Sequence, residues 1–411
     1  MQLKTYATQF LEKNNIDVVF MLLLGVVATF TLDKINPIFI FSLMMIQGII
    51  FFRSEHKKQR FTTTPYFWLL IALYGLNIVG MLYTDNYSKG FNAITRQITF
   101  VLFPLFYSVY KVKRLGLLLK FYVFAVFCFI VTFELHTLYR FFYKSDIFPL
   151  DVELFFSYRY TGAELTKLLE MHNAYFGMYI MFAHIIILDY IRRAKKYYTI
   201  ILLLLLIAFQ SLFLLQMVAK TAIILNIILI VCSLMYFLIK RKLYTLLAFS
   251  IFLMGAAGWF ATQHLNLTVS RITDRIMALQ EGDGSEVDTR ARMWSAAMPI
   301  IKENWLFGTG TGDVKKALHA EFGKNNIQIR SNVHNQYLDY LMRFGIVGLG
   351  LFLIVFGYSL THAIKTNNYI YFCFTIIIMV CCFTENILSR QWGITFFATF
   401  NYLLYYQYQK E

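Results

Sequence analysis

Apolar runs of about 18 residues or more recur along the chain, the length needed to cross roughly 30 Å of hydrocarbon. Short polar stretches separate them. The pattern predicts twelve membrane-spanning helices at about residues 17–33, 35–52, 65–83, 94–110, 115–140, 171–191, 199–216, 217–239, 243–261, 335–361, 369–385 and 390–407. The longest polar interval, about 262–334, separates the ninth span from the tenth. The expected organisation is therefore nine spans within 1–261, a long loop over 262–334 and three spans within 335–411. Almost no turn separates 199–216 from 217–239. The first apolar segment lacks a small-residue cleavage site and is followed by more spans, so no cleavable signal peptide is expected.

Composition agrees with an all-α integral membrane protein: 58% of the 411 residues are hydrophobic and only 15% charged, which leaves no soluble domain between the spans. The net charge of +15 raises the question of nucleic acid, but its distribution argues against that partner. The basic clusters at 53–60, 111–114, 192–196 and 240–242 directly follow apolar spans, each in an even-numbered loop. They share one side with both termini, and an excess of Lys and Arg marks that side as cytoplasmic. Loops 141–170 and 262–334 then face the periplasm or the exterior. All five cysteines, Cys128, Cys232, Cys373, Cys381 and Cys382, fall in apolar segments, so neither a disulfide framework nor a zinc site is indicated.

Several cations fall on the outer side, where orientation does not call for them. Arg96, His172, Lys220, His334 and Arg390 sit at the outer ends of spans that run inward, and Arg290 and Arg292 join them from the long loop. The helix N-termini at that level offer unpaired N–H groups and the positive end of the dipole. Together these features suit an anion at the membrane boundary, such as a lipid pyrophosphate. Singly, each has a plainer reading as a snorkelling side chain or an interhelical hydrogen bond. For Arg390 the plainer reading is an ion pair with Glu385 across a tight turn.

Within the long loop, 288–305 reads as a short amphipathic helix, with Met293, Ala296, Ala297, Ile300 and Ile301 at helical spacing. Trp294 and Trp305 suit the headgroup level, and Arg290 and Arg292 would overhang the site. Gly308, Gly310 and Gly312 follow. No strand precedes them and no Gly-Lys-Ser/Thr closes them, so they read as a flexible turn between two lid helices rather than a phosphate loop. Residues 315–324 suggest the second helix. The acidic stretch 281–288 reads as a flexible loop whose spacing does not match a calcium-binding hand.

His334 and Asn335, then the nine residues Gln336 to Phe344, then Gly345 and Gly348 form a pattern that resembles the O-antigen ligase and polymerase superfamily. That family's ligases carry His, then Asn, Ser or Gln, nine residues, Gly, two residues, and Gly, Thr or Tyr, at the end of a long outer loop. The resemblance covers about 215–410. It implies a GT-C-like membrane glycosyltransferase and puts Arg290 in the place of the loop arginine that holds the pyrophosphate, with Arg292 beside it. Lys220 stands where many members begin a span with an arginine, keeping the charge without the bidentate fork.

What the resemblance implies is transfer of a glycan from undecaprenyl pyrophosphate to a sugar hydroxyl of lipid A-core, or to another glycan acceptor, in a bacterial inner membrane with the site facing the periplasm. His334 is expected to be the general base, its ordinary pKa being near neutral; its alternative roles are a hydrogen-bond donor to phosphate and a helix-capping histidine. Arg290 is expected beside the reacting phosphates, and Arg292, Lys220, His172, Asn335, Arg96 and Arg390 in substrate binding. The outer side carries no Asp-x-Asp motif, so the expected chemistry needs no metal and no cofactor, and a single displacement inverts the anomeric centre. Gly345 and Gly348 are expected to permit close helix packing. A repeat-unit polymerase and a transferase acting on protein hydroxyls fit the same residues. A carrier of lipid-linked glycan fits twelve spans, but not the absence of half-to-half similarity.

Overall fold

The computed structural model describes residues 17–53, 63–144, 155–242, 245, 286–325, 327 and 332–407. Every regular element among them is helical: α1 (Val18–Ala28), α2 (Asn36–Arg53), α3 (Pro65–Val79), α4 (Tyr87–Gln97), α5 (Thr99–Val109), α6 (Leu115–Tyr143) and α7 (Asn173–Arg193) in the first part. Then come α8 (Tyr197–Gln216), α9 (Lys220–Lys240), α10 (Glu286–Glu303), α11 (Val314–Lys324), α12 (Gln336–Lys365), α13 (Tyr369–Thr384) and α14 (Gln391–Gln407).

Seven of these are long and apolar enough to cross a membrane: α2, α3 with its 3-10 extension to Tyr83, α6, α7, α8, α9 and α12. α1 and α13 are apolar but shorter. Twelve spans are thus not all represented by full-length helices. The ninth, at 243–261, apart from Thr245, and residues 281–285 of the acidic stretch lie outside the described residues. The fourth, at 94–110, differs from expectation. α4 is amphipathic, and only the 11 residues of α5 continue inward, about 16 Å of helix. Arg96 lies in the last turn of α4.

Side-chain caps set many helix starts. Asp17 accepts from Phe20 N, Thr64 from Phe67 N ahead of Pro65, and Asn368 from Tyr371 N. The junction between α8 and α9 is a three-residue turn in which Val218 takes φ 53°. α7 is the central pillar, buried on all sides from Tyr175 to Asp189 and packed on α6, α8, α9 and α13. In lipid such packing rests on close contact between small residues. A Cβ on Gly177 of α7 would meet Ala222 of α9 at 2.7 Å.

The long loop builds a small core of its own. Met293, Ala296, Ala297 and Ile300 of α10 bury against Val314, Leu318 and Phe322 of α11 and Met342 of α12, as the helical spacing predicts. Trp294 Nε1 donates to the Val333 carbonyl at 3.0 Å, and its ring meets Phe383 at the end of α13.

Candidate active site

α12 is broken. Gly345 adopts φ 62° and ψ −159°, so Gln336–Phe344 and the longer inner piece are separate helical segments. A break strands backbone groups that lipid cannot satisfy. The glycine turn after α10 satisfies them. Thr309 N and Gly310 N donate to the carbonyls of Met342 and Arg343 at 2.8 and 3.0 Å, and Ile346 N donates to the Trp305 carbonyl at 2.8 Å. A Cβ on Gly345 would lie 2.3 Å from the Leu306 carbonyl carbon, and one on Gly308 would lie 2.3 Å from Arg343 C. Gly308 to Gly312 thus form a docked plug rather than the expected flexible turn, and Gly345 opens the helix as well as admitting the Leu306 backbone.

The plug also reaches α3 and α4. Thr311 Oγ1 donates to the Asn77 carbonyl at 2.7 Å, and Gly312 N to Thr84 Oγ1 at 2.8 Å. The Asp313 carboxylate accepts from Asp85 N and Asn86 N at the start of α4.

The motif residues then grip the turn between α13 and α14. His334 Nδ1 meets Glu385 Oε2 at 2.8 Å. Asn335 N donates to Asn386 Oδ1 at 2.9 Å. Gln336 Oε1 accepts from Leu388 N at 2.7 Å. Three consecutive residues on one strand of chain are thereby locked to one turn. Asn335 is committed twice over, since its side-chain oxygen also caps α12 by accepting from Tyr337 N and Leu338 N. Its backbone N–H and its side-chain oxygen thus both hold the start of α12 in place.

Glu385 is the residue the sequence reading assigned to Arg390. Among the described residues its ion pair is with His334 instead. Burial alone would raise its carboxyl. The His334 hydrogen bond, the charges of His334 and His172, and the Asn386 N–H together bring it below the ordinary value. An ionised carboxylate only accepts, so Nδ1 of His334 carries the proton and Nε2 is the basic nitrogen. His334 itself takes φ 47°, held by its own N–H on Asn332 Oδ1. The imidazole is 23% exposed, so it is reachable, while the carboxylate is not, at 4%.

His172 caps α7, its Nδ1 accepting from Ala174 N at 3.3 Å. Burial pushes it below the ordinary histidine value. The charge of Glu385 opposes this, and those of Arg390, His334 and Arg290 add to it. Four of the residues singled out from the sequence thus converge electrostatically. Lys220 opens α9 three residues after Met217, whose carbonyl accepts from Asn173 Nδ2 at 3.0 Å. Arg292 does not join the group. It is exposed and donates to the Asn325 carbonyl at the end of α11.

Beside the His334–Glu385 pair lies a cavity of about 600 Å³ bounded by α4, the plug, α11, the outer piece of α12 and the 386–392 turn. Asn332 and Asn386 join it to the pair. Five cationic side chains line it, Lys89, Arg96, Lys315, Arg343 and Arg390, against two carboxylates, Asp33 and Asp339. Asp339 is already paired with Arg343 at 3.2 Å, so the cavity has a surplus of positive charge. Of these cations, Arg96 and Arg390 are among those expected from the sequence, and Lys89, Lys315 and Arg343 are not. Among the described residues no cluster of three or more His, Cys, Asp or Glu is arranged to hold a metal.

No curated protein matches the chain. A family model described as O-antigen ligase matches residues 211–353, a stretch that takes in Lys220, the plug, His334 and the helix break but stops before Glu385. Over residues 211–353, then, the chain is similar to the O-antigen ligase family.

Proposed function

We propose that the protein is an O-antigen ligase-type glycosyltransferase of the bacterial inner membrane. It moves a glycan from undecaprenyl pyrophosphate to a sugar hydroxyl of lipid A-core on the periplasmic side, with both termini in the cytoplasm. The observation that carries this reading is the Glu385-oriented His334 imidazole beside a cation-lined cavity. His334 Nε2 takes the proton from the acceptor hydroxyl, and Glu385 stabilises the imidazolium that forms. The hydroxyl oxygen bonds to the anomeric carbon as the bond to the pyrophosphate oxygen breaks. The electron pair leaves with the pyrophosphate, whose charge the cavity cations and Arg290 take up without a metal. One displacement inverts the centre. His172 keeps Nδ1 on its own helix as an acceptor, which leaves Nε2–H as its donor.

Arg96→Ala and Arg390→Ala are each expected to raise KM for the lipid-linked donor by roughly tenfold, the worth of one charge-assisted hydrogen bond. Unchanged KM would remove that side chain from the site.

Glu385 also ties stability to pH. Its folded carboxyl titrates below its ordinary value, so its contribution is present above the unfolded value and lost as pH falls through the folded one. The gap in thermal midpoint between the protein and Glu385→Gln in detergent is expected to close below about pH 4.5. A gap that persists in stronger acid would contradict this.

The function is tested by a strain lacking the gene. Bare lipid A-core, with long glycan stranded on undecaprenyl pyrophosphate, is the expected outcome. Core bearing a single repeat, with single-repeat carrier accumulating, would make the protein a polymerase.

A further inference from the structure

A second cavity lies away from the His334 site. It is a groove of about 720 Å³ between α6 and α8, with Ile187 and Tyr190 of α7 as its floor. All three helices are long and apolar enough to cross a membrane. Phe124 of α6 and Leu202 of α8 stand exposed on its rims. The groove sits at the Arg193 end of α7, whereas His172 caps the other end. The three helices fix the order of residues along it. Tyr190 OH donates to the Gly116 carbonyl at 2.9 Å, which sets the start of α6 beside the end of α7. α8 begins at Tyr197, just past Arg193. One end of the groove is therefore at Lys120, Arg193 and Thr199. Along α6 and α8 the lining stops at Phe127 and Phe209, whose ring centroids are 5.6 Å apart and bridge the two helices.

The wall between the two ends is aliphatic and aromatic, and both charged residues of the lining are cations. Among the described residues no carboxylate lines the groove. Lys120 lies more than a turn inside α6, with its Nζ 5.4 Å from the centroid of the Tyr190 ring. The Gly116 hydrogen bond pins that ring, so the ammonium is held at the basic end of the groove. Arg193 is placed there by Asp189, which also pairs with Arg192. Snorkelling accounts for one cation at this depth. Two cations from different helices, at one end of an apolar slot, suit an anion that carries a hydrocarbon tail. The basic clusters at 111–114 and 192–196 flank the same end, and such clusters attract anionic headgroups. From Thr199 to Phe209 α8 rises about 15 Å, the depth of one leaflet of a hydrocarbon core roughly 30 Å thick. We propose that this groove binds an anionic phospholipid of the adjoining leaflet. Its phosphate lies between Lys120 and Arg193, and one acyl chain lies along Tyr190 and Ile187 as far as the Phe127–Phe209 contact. The chain fills the gap between α6 and α8 and braces them.

The test uses the full-length protein in detergent, with phosphatidylglycerol and zwitterionic phosphatidylethanolamine as probes and bound lipids counted by native mass spectrometry. Phosphatidylglycerol is expected to be retained in preference to phosphatidylethanolamine. Lys120→Gln changes an exposed side chain and is expected to weaken phosphatidylglycerol binding about fivefold, the worth of one lysine near an anionic surface. Leu206→Trp fills the groove and is expected to release the lipid with both cations in place. Phosphatidylglycerol is also expected to raise the thermal midpoint of the unaltered protein but not that of Leu206→Trp. Equal retention of the two lipids, or phosphatidylglycerol binding that neither substitution changes, would overturn the site. Weakening by Lys120→Gln with none by Leu206→Trp would leave only a surface anion site and overturn the lipid assignment.

Discussion

Replacing His334 with alanine is expected to lower glycan transfer by about 10²- to 10⁴-fold, the range over which a positioned general base contributes. Expression and thermal midpoint are expected to stay close to those of the unaltered protein, because the lock between the start of α12 and the 385–390 turn also includes Asn335–Asn386 and Gln336–Leu388. Glu385→Gln is expected to give a smaller loss of the same kind. The amide keeps the shape but can present an N–H to the ring, which favours the wrong tautomer. Rates with purified protein and lipid-linked donor check both. Normal turnover by a well-folded His334→Ala protein would remove the base.

The second large effect is on folding. Gly345→Ala is expected to destabilise the protein by roughly 2–5 kcal/mol. The residue sits at a φ and ψ open essentially to glycine, and the added carbon would overlap the Leu306 carbonyl group at 2.3 Å. The damage reaches the site, because the plug that seats against this break carries Thr311, Gly312 and Lys315 to the cavity wall. Gly350→Ala is the control. Five residues along the same helix, a Cβ there meets nothing within 4 Å, so the change is neutral or gains up to about 1 kcal/mol. Thermal unfolding in detergent decides it, and equal midpoints for the two variants would refute the role given to the break.

The sequence disclosed what depends on local pattern. Hydrophobic length located most spans, helical spacing located α10 with its buried face, and the motif spacing drew attention to His334 and Gly345. It did not disclose what depends on contact between distant segments. His334 and Glu385 are 51 residues apart, so the nearer Arg390 looked like the partner of Glu385. The signal for the true pairing was present but weak: a carboxylate at the same outer level as a motif histidine, closing an otherwise apolar helix, is costly without a partner. Gly308, Gly310 and Gly312 look like any flexible turn until the unwound backbone of α12 is set against them. Lys89 was hidden because α4 reads as the approach to a span, whereas it forms a wall of the cavity.

The most direct test of the central claim is reconstitution of the purified protein in vesicles with a defined undecaprenyl-pyrophosphate glycan and lipid A-core. Glycan-bearing lipid A-core and free undecaprenyl pyrophosphate appearing in equal amounts, with the anomeric centre inverted, is the expected result. Movement of the intact lipid-linked glycan across the bilayer, with the pyrophosphate bond unbroken, would contradict it.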